Sequence, residues 1–545
     1  MIRSCERWFL ILIIFLFVPY GLYAKRINVH SLDELVGAAK ISNNTIVVKK
    51  HIDLEKCKVI FSKGCTLEFK SGSFSNGMVV GNQTVLKNNR MNIFHDCTIA
   101  GTWQADYASS SMFNIDMETM QLLRNMSCLS PTLKLSANRS YLINAQQDTI
   151  KAEVLEADGK VKPMIAFHTT APNLAGVVLR GRNVKLRNLV ITDDYEEKND
   201  AIYGENKPTI GNTIAVIGPK KVVETLSIEG CEFCGGTSSS WVASSQTKNC
   251  VVENCTITGY MADHGVYCSM KVENYHVKNC KLRDITQSRG VFKVRSSKSL
   301  YSYSIKYVDA HNLNGYLGIL SLRETPEAEV QLVHIRVTKD DEDPSVFYGF
   351  CFNDESKELS GNGFNANIVS LSNCIFDYGY KGSPIINKGA GEPVRVKAII
   401  YVGIKAKGLN FAGGKAESVV VNRGLFEDCY GPNGIPLRTL HLIIENTAIN
   451  GLAGKTQDYL FLVNFYEEQI ESIALENVRI GANLNNLFNV VKGDSLSVII
   501  RHCTIDTQIH SLFYTADNCL ISYKGRDNKI FIDNAPDHYM KDGRR

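Results

Sequence analysis

The residues best equipped for chemistry fall between positions 263 and 323. In Val291-Phe292-Lys293-Val294-Arg295 two cations alternate with apolar residues. A strand has period two, so Phe292 and Val294 point inward and Lys293 and Arg295 face solvent. One repeat later, Ile319-Leu320-Ser321-Leu322-Arg323 sets Arg323 over Arg295. Two like charges about 5 Å apart repel by roughly 1 kcal/mol in water. An anionic guest would relieve that repulsion. Arg289 stands at the turn before this strand, and Asp263-His264 at the matching turn one repeat earlier. Abstraction of a proton α to a carboxylate needs a base and a cation that offsets the carboxylate charge. Lys293 is the first choice as base, with Arg295 and Arg323 neutralising the acid. His264, whose ordinary pKa lies nearer neutrality, is the alternative base. Arg289, Asp263, Tyr267 and Tyr316 complete the patch as substrate-binding residues. The plainer reading is that these charges are simply solvated on an exposed face.

Other constellations are less pointed. Asp193-Asp194-Tyr195-Glu196-Glu197 and Asp340-Asp341-Glu342-Asp343 offer the oxygen ligands that calcium takes, or are solvated loops. Paired carboxylates for glycoside hydrolysis would have to come from Asp263, Asp284, Asp309 and Glu324, and no pair stands out. Trp241, Tyr267, Tyr316 and Tyr348 recur at coil spacing and suit either a sugar-stacking platform or the core. No Walker loop, HExxH, GxSxG or dinucleotide fingerprint occurs, so nucleotide and hydride chemistry are poor bets. No metal site is assigned.

These side chains must be positioned by a repeat. Residues 249–294 contain two near-copies of one pattern, Val252-Glu253-Asn254-Cys255-Thr256-Ile257 and Val277-Lys278-Asn279-Cys280-Lys281-Leu282. The phrase reads apolar, any, polar, small or apolar, any, apolar. It recurs at Phe94, Leu186, Ile228, Val252, Val277, Ile305, Leu332, Leu371, Ile399, Val421, Ile444, Leu475 and Ile500. A strand–turn–strand unit with a period near 25 residues indicates a stacked array. The gap after Leu186 holds the first acidic loop and room for a coil without the phrase. The gap before Leu371 holds Gly361-Asn362-Gly363, a loop signal.

The fourth position is Cys at 97, 231, 255, 280, 374 and 503. Stacked in register, these behave as small apolar core residues. In an exported protein the alternative is disulfides. The third-position Asn (188, 254, 279, 373, 446, 477) suits a turn or an amide ladder.

Composition narrows the class. A formal net charge of +4 on 545 residues argues against a dedicated nucleic-acid binder. Arg3 and Arg7, the apolar run 8–18, Pro19, Gly21 and Ala24 read as a secretory signal over 1–24, so the mature chain is expected to be exported, to a periplasm, the outer surface or the medium. Residues 31–40 predict a short amphipathic helix with Ser31 and Glu34 at capping-box spacing. Residues 112–126 show helical spacing. The expected order is 1–24 signal, 25–130 cap and first coils, 131–532 the solenoid, and 533–545 a polar tail that frays.

The recurring phrase resembles that of right-handed parallel β-helix proteins of the pectate-lyase-like superfamily. Leu67-Glu68-Phe69-Lys70-Ser71-Gly72-Ser73-Phe74-Ser75-Asn76-Gly77 and Thr98-Ile99-Ala100-Gly101-Thr102-Trp103 look like the opening of large secreted β-helix proteins of gut Bacteroidetes. Many such relatives continue into a Gly-Asp-Gly-x-x-Asp-Asp-Thr type of segment, where this chain has Ala105-Asp106-Tyr107-Ala108-Ser109. The resemblance implies an all-β, single-chain, right-handed parallel β-helix with a small N-terminal helical cap. It implies a polysaccharide partner, and the cations point to an acidic, uronate-containing one cleaved by a lyase. A non-catalytic glycan- or partner-binding β-helix and a glycoside hydrolase are the alternatives, since fold alone does not choose.

Overall fold

The computed structural model describes residues 25–87, 90–144, 148–168, 176–196, 212–297, 299–322, 327–352, 365–379, 385–387, 395–411, 415–429, 434–451, 456–464, 469–481, 483–492, 495–515 and 520–530. The expected signal segment, Glu197, Arg323, Glu324, Gly361-Asn362-Gly363 and the tail lie outside them. The chain divides into two units, residues 1–141 with 150–163, and residues 142–149 with 164–545.

In the first unit, the helix Leu32–Ala39 begins where Ser31 accepts from the Glu34 backbone N–H, while Glu34 accepts from that of His30 at 2.7 Å. Short parallel strands follow in register, Ile46 on Leu67 on Leu86. The strands Ser73–Lys87 and Phe94–Gln104 run side by side. The second helix is Thr119–Leu129, later than its apolar spacing suggests. Glu118 caps it by accepting from Met120 and Gln121, and residues 110–112 form a 3₁₀ turn instead. Buried Asn125 pins this helix to the neighbouring strand, accepting from the Ile99 N–H and donating to the Cys97 carbonyl, both at 2.9 Å. Those bonds satisfy backbone groups that would otherwise be stranded inside.

The second unit is a parallel β-helix. The first phrase position stacks rung on rung: Leu186, Ile228, Val252, Val277, Ile305, Leu332, Leu371, Tyr401, Val421, Ile444, Leu475 and Ile500 are successive in-register partners. Leu186 pairs directly with Ile228, so no extra coil sits between them. One rung differs from the sequence reading. Tyr401, not Ile399, takes the phrase position, because the turn residue two places on is Gly403.

That turn residue explains the repeat. Asn188, Gly230, Asn254, Asn279, Tyr307, His334, Asn373, Gly403, Arg423, Asn446, Asn477 and His502 all have φ between 50 and 64°. Gly and Asn adopt this left-handed conformation most readily, which is why Asn recurs in the phrase. An amide ladder exists as well, but locally: Asn477 donates to Asn446 at 2.8 Å and Asn446 to Asn422 at 3.3 Å. The next residue turns back into the core. Cys231, Cys255, Cys280, Cys374 and Cys503 are all buried there, and no described cysteine is in a disulfide. Burial pushes the Cys374 thiol up to about 12 and raises that of Cys503 as well, so these two stay protonated and apolar in behaviour.

Aromatic stacks fill the interior, including Phe461, Phe488 and Phe513 with ring centres 5.4 and 5.3 Å apart. Tyr275 and Tyr303 stack at 5.3 Å, fully buried. Their hydroxyls donate across the core to the carbonyls of Val266 and Phe292, at 2.9 and 3.2 Å. Those two carbonyls belong to the strands that carry the site.

Candidate functional site

The strands Ser240–Ser244, His264–Ser269 and Phe292–Ser297 lie on consecutive rungs, followed by the last part of Ser302–Leu322. Phe292 and Val294 face the core, as alternation requires. The column between them reads Ala243, Tyr267, Lys293, Ile319 from rung to rung.

Lys293 does not face solvent as expected. It is only 4% exposed. Tyr267 below and Ile319 above cover its aliphatic stem, and its ammonium lies 5.7 Å from the Tyr267 ring centre, within cation–π range. Pointing away from the core is therefore not the same as being hydrated.

Arg295 is half-buried, between Ser269 on one rung and Ser321 on the next. Its in-register partner is Ser321, two residues short of Arg323, which lies outside the described residues. The expected Arg295–Arg323 repulsion is withdrawn, and with it the argument for a guest drawn from that pair.

His264 is the better-defined group. It is 5% exposed, and its Nδ1 donates to the Gly290 carbonyl at 3.0 Å. A carbonyl can only accept, so Nδ1 carries the proton and Nε2 the lone pair. Burial holds the pKa well below the ordinary histidine value, reinforced by the charges of Lys293, Arg289 and Arg295. His264 is neutral at physiological pH. Gly290 has φ +141°, and a Cβ there would lie 2.5 Å from Ile319. Only glycine presents this carbonyl to the imidazole without strain.

Arg289 and Asp263 meet as read from the sequence. The Arg289 N–H donates to the Asp263 carbonyl at 3.0 Å, and the side chains pair at 3.3 Å. Tyr267 lies beside His264, ring centres 5.5 Å apart. Tyr316 is half-buried one rung further on, 5.3 Å from the Tyr348 ring. Trp241 belongs to the core, fully buried against Phe233, and is no part of a platform.

Sequence reasoning missed Ser240. It is the in-register partner of His264 on the preceding rung, and its buried hydroxyl has no hydrogen-bond partner among the described residues. An unsatisfied buried hydroxyl costs about 1–3 kcal/mol unless a water or ligand completes it. The pairing was hidden because Ser240 sits in a serine run with no distinguishing pattern.

A second acidic pairing was also missed. The Asn312 amide nitrogen donates to Asp284 at 2.9 Å and to Asp340 at 3.1 Å, and His311 lies 3.3 Å from the same Asp340 oxygen. The Asn312 and His311 contacts hold the Asp340 carboxyl below its usual range. Asp284 and Asn312 are one coil apart and share left-handed φ, a conformation that no pattern in the sequence marks at these positions.

The acidic run 193–196 is not gathered for a cation. Asp193 is buried and accepts from Thr213 at 2.8 Å, while Asp194 pairs with His168. Among the described residues no three His, Cys, Asp or Glu side chains are grouped to hold a metal ion. No described helix is long and apolar enough to cross a membrane.

No family model matches the chain, and no curated protein matches it. Among solved structures it is similar to the catalytic domain of GH87 alpha-1,3-glucanase in complex with nigerose, at 12% identity and a TM-score of 0.41, covering 76% of this chain and 67% of that one. Two single-substitution variants of that domain match with the same identity and coverage, at TM-scores of 0.41 and 0.40. The parallel β-helix rests on the strand register of this chain, not on those similarities.

Proposed function

We propose that the protein is an exported enzyme that acts on polysaccharide, and that it cleaves an acidic glycan by β-elimination at the corner held by His264. One observation carries this reading: a neutral imidazole with an assigned lone-pair nitrogen, set among Lys293, Arg289 and Arg295. In the step proposed, Nε2 takes the proton α to the uronate carboxylate. The electron pair forms the ring double bond, and the bond to the glycosidic oxygen breaks, that oxygen taking a proton from solvent while Nε2 afterwards returns its own to solvent. Lys293 and Arg295 offset the carboxylate charge, which makes the α-proton acidic enough to remove. His264 thus replaces Lys293 as base, since the buried ammonium stands better as the neutralising cation.

The test is the ultraviolet absorbance of an unsaturated uronate on incubation with polygalacturonate, alginate or a glycosaminoglycan. Absorbance that rises with wild type and not with His264→Gln supports the reading. Release of reducing ends without absorbance would replace it with the second reading, a glycoside hydrolase. That alternative is favoured by Asp284 and Asp340. Both accept from one amide nitrogen, at 2.9 and 3.1 Å, so the bonded oxygens lie no more than about 6 Å apart, a limit that admits the roughly 5–5.5 Å of retaining pairs.

A further inference from the structure

The first unit contains a cleft that the reading above does not use. Its volume is about 530 Å³, within the range of about 300–1,000 Å³ typical of small-molecule sites. It opens where the strands Ser73–Lys87 and Phe94–Gln104 end together, Val85 beside Gln104. Leu86, Trp103 and Leu129 make an apolar floor, each less than a tenth exposed. Lys87, Gln104 and Asp106 stand exposed at the rim, with Tyr107 half-buried beside them. The Lys134 ammonium lies 4.1 Å from the Tyr107 ring centre and 3.9 Å from Glu156. Residues 105–107 belong to the segment where this chain departs from the Gly-Asp-Gly pattern of the proteins it resembles.

The chemistry of this cleft selects a class of ligand. Its rim offers an ammonium donor, a carboxylate acceptor and an amide that does both. Its lining charges balance, Lys87 against Asp106, so it has no bias toward an anion. Its floor is apolar and aromatic, but the rim is too polar for a purely hydrophobic guest. Polar groups around an aromatic floor suit an uncharged polyol with apolar C–H faces. We infer that the cleft is a non-catalytic binding site for a neutral saccharide of a few residues. It is independent of the elimination proposed for the second unit, and its ligand differs in charge.

Isothermal titration of the full mature chain tests this, with maltotriose, cellotriose, xylotriose and trigalacturonate as probes. The His264→Gln background removes turnover from the measurement. The expected result is saturable binding of at least one neutral trisaccharide, weakened at least about tenfold by Tyr107→Ala. Gln104→Ala with Asp106→Asn should weaken it similarly. Those two side chains are exposed, so that double variant keeps the test sound if Tyr107→Ala unfolds the unit. In the wild-type background the double variant leaves turnover of the acidic glycan unchanged. No heat from any neutral probe would overturn the inference. So would binding that both variants leave intact, or binding of trigalacturonate alone.

Discussion

Two corners of the second unit behave in opposite ways. At one, the left-handed residue recurs on every rung from Asn188 to His502, and the register runs unbroken through the strand that leads into it. At the other, around Asp263-His264 and Arg289-Gly290, the register shifts between Ile285 and Ser288, after Arg295 and around Tyr316. The regular corner holds residues chosen for backbone conformation. The irregular one buries a histidine and a lysine outside the core. A coil must turn the same way each time to stack, so one corner is constrained by geometry. The other is free to depart, and polar groups that cost stability gather where departure is tolerated.

The largest test of this contrast is at the irregular corner. His264→Gln should lower turnover of the acidic glycan at least about a hundredfold, the low end of what a general base contributes, with the fold intact by circular dichroism. An unchanged rate would make both corners structural. Lys293→Met keeps the buried stem and removes the charge, and should cost about tenfold or more in kcat/KM. A rate loss confined to His264 would divide the base from the supposed cation.

The regular corner should respond in stability alone. Asn279→Val forces a β-branched residue into left-handed φ and should cost about 1–2 kcal/mol by chemical denaturation, whereas Asn279→Gly should be nearly neutral. Equal losses from both would show that the amide, not the backbone, matters there.

The protonation of His264 gives a pH test. Its folded pKa is depressed, so its contribution is complete above the unfolded value of about 6.5 and is lost as pH falls below it. The slope is at most about 1.4 kcal/mol per pH unit for one proton. Wild type should lose stability faster than His264→Gln on acidification below pH about 6.5. Parallel curves would mean that the imidazole is hydrated in the fold. The smallest effect is expected from Asn446→Ala, about half a kcal/mol, since its amide bonds are exposed.

Much of this architecture was legible in the residues. Val252, Val277 and Ile305 were placed on one column by their spacing, and the asparagines between them marked a turn. Tyr401 escaped because Gly403, not an asparagine, supplies its turn. The site was legible in part. Asp263 with Arg289 followed from matching offsets, since offsets survive as long as the register does. Ser240 beneath His264, and Asp284 with Asp340 around Asn312, join residues whose partners lie a coil away in irregular text.

By itself the sequence determined that the chain winds and where each turn must fall, because period and backbone preference are local properties that every rung repeats. Only the tertiary structure decided that Lys293 is buried, that His264 is held neutral with its proton on Nδ1, and that Ser321 is the rung partner of Arg295. Burial and charge depend on what packs against a side chain from other rungs. One shifted residue in a parallel pair changes those neighbours while leaving the periodic pattern intact.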